Sequence, residues 1–178
     1  LYRMTTLQNN FGVIMLALDN GQPRQMPLRE ILQAFLDFRE TTLTRQYQHK
    51  LDQTENRLHV LDGLLTALNN LDAIIDILRN APDGTSAKQE FQQQFDLSER
   101  QCDAILAMPL RRLTGLEREN LENEHQDLLQ ERERLQLLLS DRRELLKSMK
   151  KELRSLRKKF SDERRTRIQT EAERQEET

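Results

Sequence analysis

Two long stretches of this chain repeat apolar residues in alternating steps of three and four, and a short segment of turn-forming residues separates them. In the first stretch Leu51, Thr54, Leu58, Leu61, Leu65, Leu68, Asp72 and Ile75 fall on the pattern. In the second it runs Leu121, His125, Leu128, Arg132, Leu135, Leu139, Arg142, Leu146, Met149, Leu153, Leu156 and Phe160, with nine of the twelve positions apolar. A mean period of 3.5 residues keeps one stripe of a helix against a partner helix, which is the seam of a coiled coil. A single free helix with a solvated face needs no such stripe. The segment between the two seams is too small to be a second large domain, so the simplest arrangement folds one seam back on the other as an antiparallel hairpin of helices. At about 1.5 Å rise per residue, arms of this length extend on the order of 65 to 75 Å.

The rest of the chain is organised around those arms. Residues 11–26 join a β-branched and apolar run to Asn20-Gly21 and a short segment held by Pro23, which is a hairpin signal. A lone two-stranded hairpin is at best marginally stable in water, so residues 1–26 read as the remnant of a domain whose other strands lie upstream. Pro27 suits the first position of a helix, and residues 27–79 form the outgoing arm. The run Asn80-Ala81-Pro82-Asp83-Gly84 stops it, with Gly84 expected to permit a left-handed turn.

Residues 80–115 make a knob with two short helices, Ser86 to Phe95 and Ser98 to Met108. Ser98 and Gln101 have the spacing of a capping box, and Pro109 limits the second helix. Residues 116–160 return as one helix, and 161–178 read as a linker or frayed end rich in Glu, Arg, Gln and Thr. The expected fold class is mainly α: a long antiparallel coiled coil, a small helical knob at its tip and a β-hairpin remnant at the N-terminus.

Composition supports this reading and narrows function. With 33% charged and 4% aromatic residues the chain is too polar for one thick core. A single cysteine, Cys102, excludes an intrachain disulfide framework and fits a reducing compartment. No apolar run reaches membrane-spanning length, and the chain reads as a soluble piece of a longer protein. His49, His59 and His125 match no metal-binding spacing, and there is no glycine-rich phosphate loop. Tyr2 and Tyr47 lack the neighbours of a nucleophile. No catalytic residue and no metal site is expected within the chain.

Two surfaces remain as candidates. Residues 141–160 hold nine Lys or Arg against three acids, whereas residues 116–140 hold three against seven. The basic stretch is either a solvated helix face or a cation-rich base turned towards a phosphate backbone. In the knob, Leu97, Ile105, Leu106, Met108, Leu110, Leu113 and Leu116 are more apolar residues than so short a segment is expected to bury alone. They serve either a partner or the arm ends.

Five stretches carry a family resemblance: LYRMTTLQ at 1–8, FGVIMLAL followed by NGQPRQMPLREIL, HVLDGLLTALNNLDAIIDILRNA at 59–81, LSERQCDAILAMPLRRLTGLE at 97–117, and FSDERRT at 160–166. Together they resemble the A subunits of bacterial-type type IIA DNA topoisomerases over nearly the whole chain. LYRMT and LTGLE lean towards DNA gyrase, with topoisomerase IV as the alternative. One departure is Pro109, followed by Leu110, Arg111 and Arg112, where relatives often carry a charged residue.

The resemblance implies the exit-gate segment, or C-gate: the end of the tower domain, the coiled coil, and a tip that pairs with its two-fold mate where a transported duplex leaves. By position, it implies a dimer contact involving Leu97, Gln101, Ile105, Leu106, Met108, Leu110 and Leu113. It turns Lys147, Lys150, Lys151, Arg154, Arg157 and Lys158 towards DNA. The implied partners are a second copy, the gyrase B subunit and double-stranded DNA, with no membrane. ATP and magnesium belong to the B subunit, so the chain itself needs no cofactor and is inactive alone. The implied location is cytoplasmic and nucleoid-associated, or a plastid. Rival readings are a scaffold arm with a hinge, whose hinge is usually larger than this knob, and a nucleic-acid-gripping arm, whose basic residues would line the arm rather than its base.

Overall fold

A computed structural model of the chain describes residues 4–109 and 114–169. Within them β1 (Leu16–Asp19), β2 (Gln22–Gln25), α1 (Leu28–Asn69), α2 (Leu71–Asn80), α3 (Gly84–Phe95), α4 (Glu99–Leu106), α5 (Gly115–Ser140) and α6 (Arg142–Phe160) follow in order. β1 and β2 pair antiparallel from Leu16↔Gln25 to Asp19↔Gln22. Asn20 (φ 50°) and Gly21 (φ 81°) both take the left-handed conformation that a two-residue hairpin turn demands. The strands are shorter than the expected 11–26 hairpin. Leu16 and Leu18 are 70% and 75% exposed, so no described residue covers the apolar face of β1.

α1 runs for 42 residues. Pro27 stands one position before it rather than inside it, and its carbonyl accepts from the backbone N–H groups of Glu30 and Ile31. The sequence predicts one helix to Arg79, whereas the structure breaks at Asn70 (φ −120°, ψ 38°) and starts again as α2. The break changes which residues are inside. Leu51, Thr54, Leu58, Leu61 and Leu68 are buried as the seam requires, but beyond Asn70 the buried pair is Ile74 and Ile77, not Asp72 and Ile75.

The return arm, expected as one helix, also has a break. Asp141 (φ −113°, ψ 105°) ends α5 and caps α6, its carboxylate accepting from the N–H of Arg143 at 2.8 Å. A side chain that bonds a nearby backbone donor competes with the helical ladder, and here it wins. Leu121, Leu135 and Leu138 are buried before the joint, and Leu145 and Met149 after it. Leu156 and Phe160, assigned to the seam by period, are exposed, as are Leu28, Leu32 and Phe35 in the first turns of α1.

Three apolar clusters lie along the molecule. Leu43, Leu145 and Met149 hold the base of the arms, while Leu61, Leu68 and Leu121 hold their far end. The knob gathers Leu64, Ala67, Ile74, Ile77, Ala87, Phe91, Leu97, Cys102 and Ile105. Gly84 is not left-handed; it is the first residue of α3, and the turn before it is made by extended Asp83, whose side chain accepts from the N–H of Ser86. The left-handed residue in this region is Asp96 (φ 52°), which closes α3.

Candidate functional site

The knob is fixed to the arm by a polar joint at the start of α4. Ser98 and Gln101 form the expected capping box, with Gln101 Oε1 accepting from the Ser98 N–H at 2.9 Å. Gln101 Nε2 reaches across to donate to the His59 carbonyl of α1 at 2.7 Å, and His59 Nε2 lies 2.6 Å from Ser98 Oγ. Arg100 adds a bond to Asn56 Oδ1 at 2.8 Å. The helices approach this closely because position 63 is glycine: a Cβ there would stand 2.6 Å from Gln101 Cβ.

That joint decides where the expected contact residues lie. Leu97, Gln101 and Ile105 are 7%, 8% and 4% exposed, enclosed by the chain itself. α4 lies on α1 with α3 against it, so these side chains face inward. Leu106 and Met108 are half-buried against the same core, and Leu110 and Leu113 lie outside the described residues, as do Arg111, Arg112 and Tyr2. Leu116 is 70% exposed at the start of α5. Ile75, which the period assigns to the seam, and Leu78 are 37% and 43% exposed on the outward side of α2.

At the opposite end, Lys147, Lys150, Lys151, Arg154, Arg157 and Lys158 are all exposed on α6. Their spacing of three and four places them on one stripe, while Leu145 and Met149 face α1. Lys147 is engaged by Glu144 of its own helix, which raises its pKa. Lys150, Lys151, Arg154, Arg157 and Lys158 make no ion pair among the described residues. Five cations on one face make a ready contact for polyanions.

Between these ends the arms are laced by pairs of opposite charge. Arg57 meets Glu124 with two hydrogen bonds of 2.7 and 2.8 Å, and Arg142 meets Glu40 with two of 2.6 and 3.0 Å. Lys50 reaches Glu131 and Arg39 reaches Glu152, each at 2.6 Å. The hydrogen bond from Arg142 holds the Glu40 carboxyl below its ordinary value, and the one to Glu124 raises Arg57 above its own.

No constellation for chemistry assembles among the described residues. Each histidine has a different neighbour: Gln53 for His49, Ser98 for His59, and Asp62 for His125 at 2.7 Å. Tyr47 bonds Ser148 Oγ at 2.9 Å within the arm. The Cys102 thiol is fully buried, and its burial raises its pKa. No described group of His, Cys, Asp and Glu is disposed to hold a metal ion, and no described helix is long and apolar enough to cross a membrane.

Comparison with known proteins gives this hairpin arm, with its docked knob and basic base, a family. Residues 1–154 match the model of the family of DNA gyrase and topoisomerase IV A subunits, and the chain belongs to that family. It is 61% identical over 168 residues to the A subunit of DNA topoisomerase 4 from Synechocystis sp. (strain ATCC 27184 / PCC 6803 / Kazusa), a match covering 94% of this chain and 18% of that protein. It is 43% identical over 169 residues to the A subunit of DNA gyrase from Staphylococcus aureus (strain MRSA252), covering 95% and 19% respectively. The chain thus spans under a fifth of the length of either relative. The sequence motifs lean towards gyrase, whereas the higher of these two identities belongs to a protein named for topoisomerase IV.

Proposed function

We propose that this chain is the exit-gate segment of a type IIA topoisomerase, from its A subunit. Two copies meet through their knobs, and the paired arms enclose a space that holds a DNA duplex after strand passage and then releases it. The observation that carries this reading is the combination, in a member of this family, of a docked knob at one end of a rigid arm and a stripe of exposed cations at the other. Within the parent enzyme the B subunit would supply the ATP and magnesium chemistry, and this chain alone would be inactive. The cytoplasm, around the nucleoid, is the corresponding location. The parent reaction is ATP-dependent supercoiling on the gyrase reading. The 61% identity favours topoisomerase IV as a second reading. Whether the complete enzyme introduces negative supercoils or only relaxes DNA separates the two.

Contacts from Lys150, Lys151 and Arg154 to phosphate would be independent of base sequence and would weaken with salt, because binding releases condensed counterions. Reversing these three to Glu in the complete enzyme is expected to slow strand passage at low salt while leaving DNA cleavage unchanged. The gap between variant and wild type should close as salt rises. Equal loss of cleavage and passage would point to damaged arm packing, and an unchanged passage rate would return the stripe to a solvated helix face.

A further inference from the structure

We propose that Gln101 is a positioning residue of the exit gate: it pins the knob to α1 at one angle, so that the outgoing helix, rather than the return arm, sets which way the knob faces. This rests on the exit-gate reading and names the part of the chain that aims the gate.

The knob hangs from α1 at two places. The first is the covalent joint at Asn70, where the backbone leaves the helix (φ −120°, ψ 38°). The Asn70 side chain bonds back to the Thr66 carbonyl at 2.9 Å and makes no cap bond to α2, so it fixes no angle for the helix that follows. The second is the docking of α4 on α1. Its apolar part, Leu64 and Ala67 in one core with Ile105, is non-directional. Direction comes from the polar part, and Gln101 stands at its centre.

Position 63 makes a notch in α1, and Gln101 fills it. A Cβ on Gly63 would stand 2.6, 2.7 and 3.2 Å from Cβ, Cγ and Cδ of Gln101, so the stem of the glutamine lies where a side chain of α1 would otherwise be. From there Nε2 donates to the His59 carbonyl at 2.7 Å while Oε1 accepts from the Ser98 N–H at 2.9 Å. A helical carbonyl has a second lone pair beyond its ladder bond, so His59 accepts the glutamine without breaking α1. The bonds of His59 with Ser98 and of Arg100 with Asn56 flank this one but are exposed to water, whereas Gln101 is buried, where a directional bond counts for more. α1 suits the task. It runs unbroken from Leu28 to Asn69, whereas the return arm is jointed at Asp141. Leu61 and Leu68 turn one face of α1 to α5, and Leu64 and Ala67 turn another to the knob. A rotation of α1 is therefore passed to α4 through the filled notch.

Spin labels on Gln48→Cys of α1 and Gln93→Cys of α3, both exposed, read the angle as a distance, with Cys102 buried out of reach. With position 101 unchanged the distance distribution should be single and narrow. Gln101→Glu keeps the acceptor that the capping box uses but loses the donor to His59. It should lower the ratio of pinned to turned knobs about two- to tenfold, the range of one net hydrogen bond, with helicity by circular dichroism kept. Lowering the pH until the new carboxyl is protonated supplies a donor again and should restore the narrow distribution; the parent chain over the same pH range controls for His59. Gly63→Ala removes no polar group yet should displace the distribution too, and it carries the test should Gln101→Glu fail to fold. In the complete enzyme both variants should slow strand passage and leave DNA cleavage unchanged. A distribution unmoved by Gln101→Glu would overturn the pin and leave the exit-gate reading standing. A displaced knob with undiminished strand passage would overturn its part in aiming the gate. An enzyme that passes strands at the wild-type rate without residues 82–107 would overturn the exit-gate reading itself.

Discussion

Gly63 is where α4 comes closest to the outgoing arm, and the side chain it faces has little room to yield. Gln101 is held at both ends, by the Ser98 N–H and the His59 carbonyl, so a methyl group 2.6 Å from its Cβ and 2.7 Å from its Cγ has to push the helices apart. Helix propensity favours Ala over Gly by about 1 kcal/mol, but overpacking costs about 1–3 kcal/mol. Gly63→Ala is therefore expected to lower stability in urea denaturation, although the same change in an open helix would raise it. The Ser98/Gln101 box and the Asn20-Gly21 turn could be read from the sequence because each is made within four residues. The Gly63 contact joins residues 38 apart in sequence, and no local pattern announces it.

At the level of the helix, the apolar period identified a stripe and left open what covers it. From Leu51 to Leu68 the stripe and the covering arm coincide. Past Asn70 the period persists without a return helix over it, and past Leu153 it persists where the first turns of α1 leave Leu28, Leu32 and Phe35 exposed as well, so Ile75, Leu156 and Phe160 lie outside. Both helix breaks escaped notice for a related reason. The apolar period marks neither: Asp141 caps α6 with its carboxylate, whereas Asn70 makes no side-chain cap bond to α2. Leu61 and Leu156 occupy equivalent seam positions by sequence, yet are 0% and 46% exposed. Leu61→Ala is expected to cost about 2–5 kcal/mol. Leu156→Ala should fall within about 0.5 kcal/mol, and denaturant titration of the pair checks whether burial or periodicity governs.

Across the whole molecule, the antiparallel arm with a knob was legible, since two seams and one interruption leave few alternatives. The knob's division into an inward and an outward side was not, because the same apolar residue types serve both. Net charge likewise conceals the basic stripe of α6, which the acidic stretch of α5 offsets. The hairpin topology also orders assembly in time. Bonds between the arms join residues 49 apart at Asn69 and Arg118, 67 at Arg57 and Glu124, 81 at Lys50 and Glu131, 102 at Glu40 and Arg142, and 113 at Arg39 and Glu152. Each contact nearer the base is a longer loop to close, but once the previous one exists the added entropy cost is small. Closure should begin at the knob and run towards the hairpin like a zip. Native-state hydrogen exchange should then show protection falling from Leu61 to Leu36 along α1; uniform protection would mean that the arm opens as one unit. Tension applied between the two strands of the arm at the base would peel them apart from that end, leaving the knob as the last part to yield.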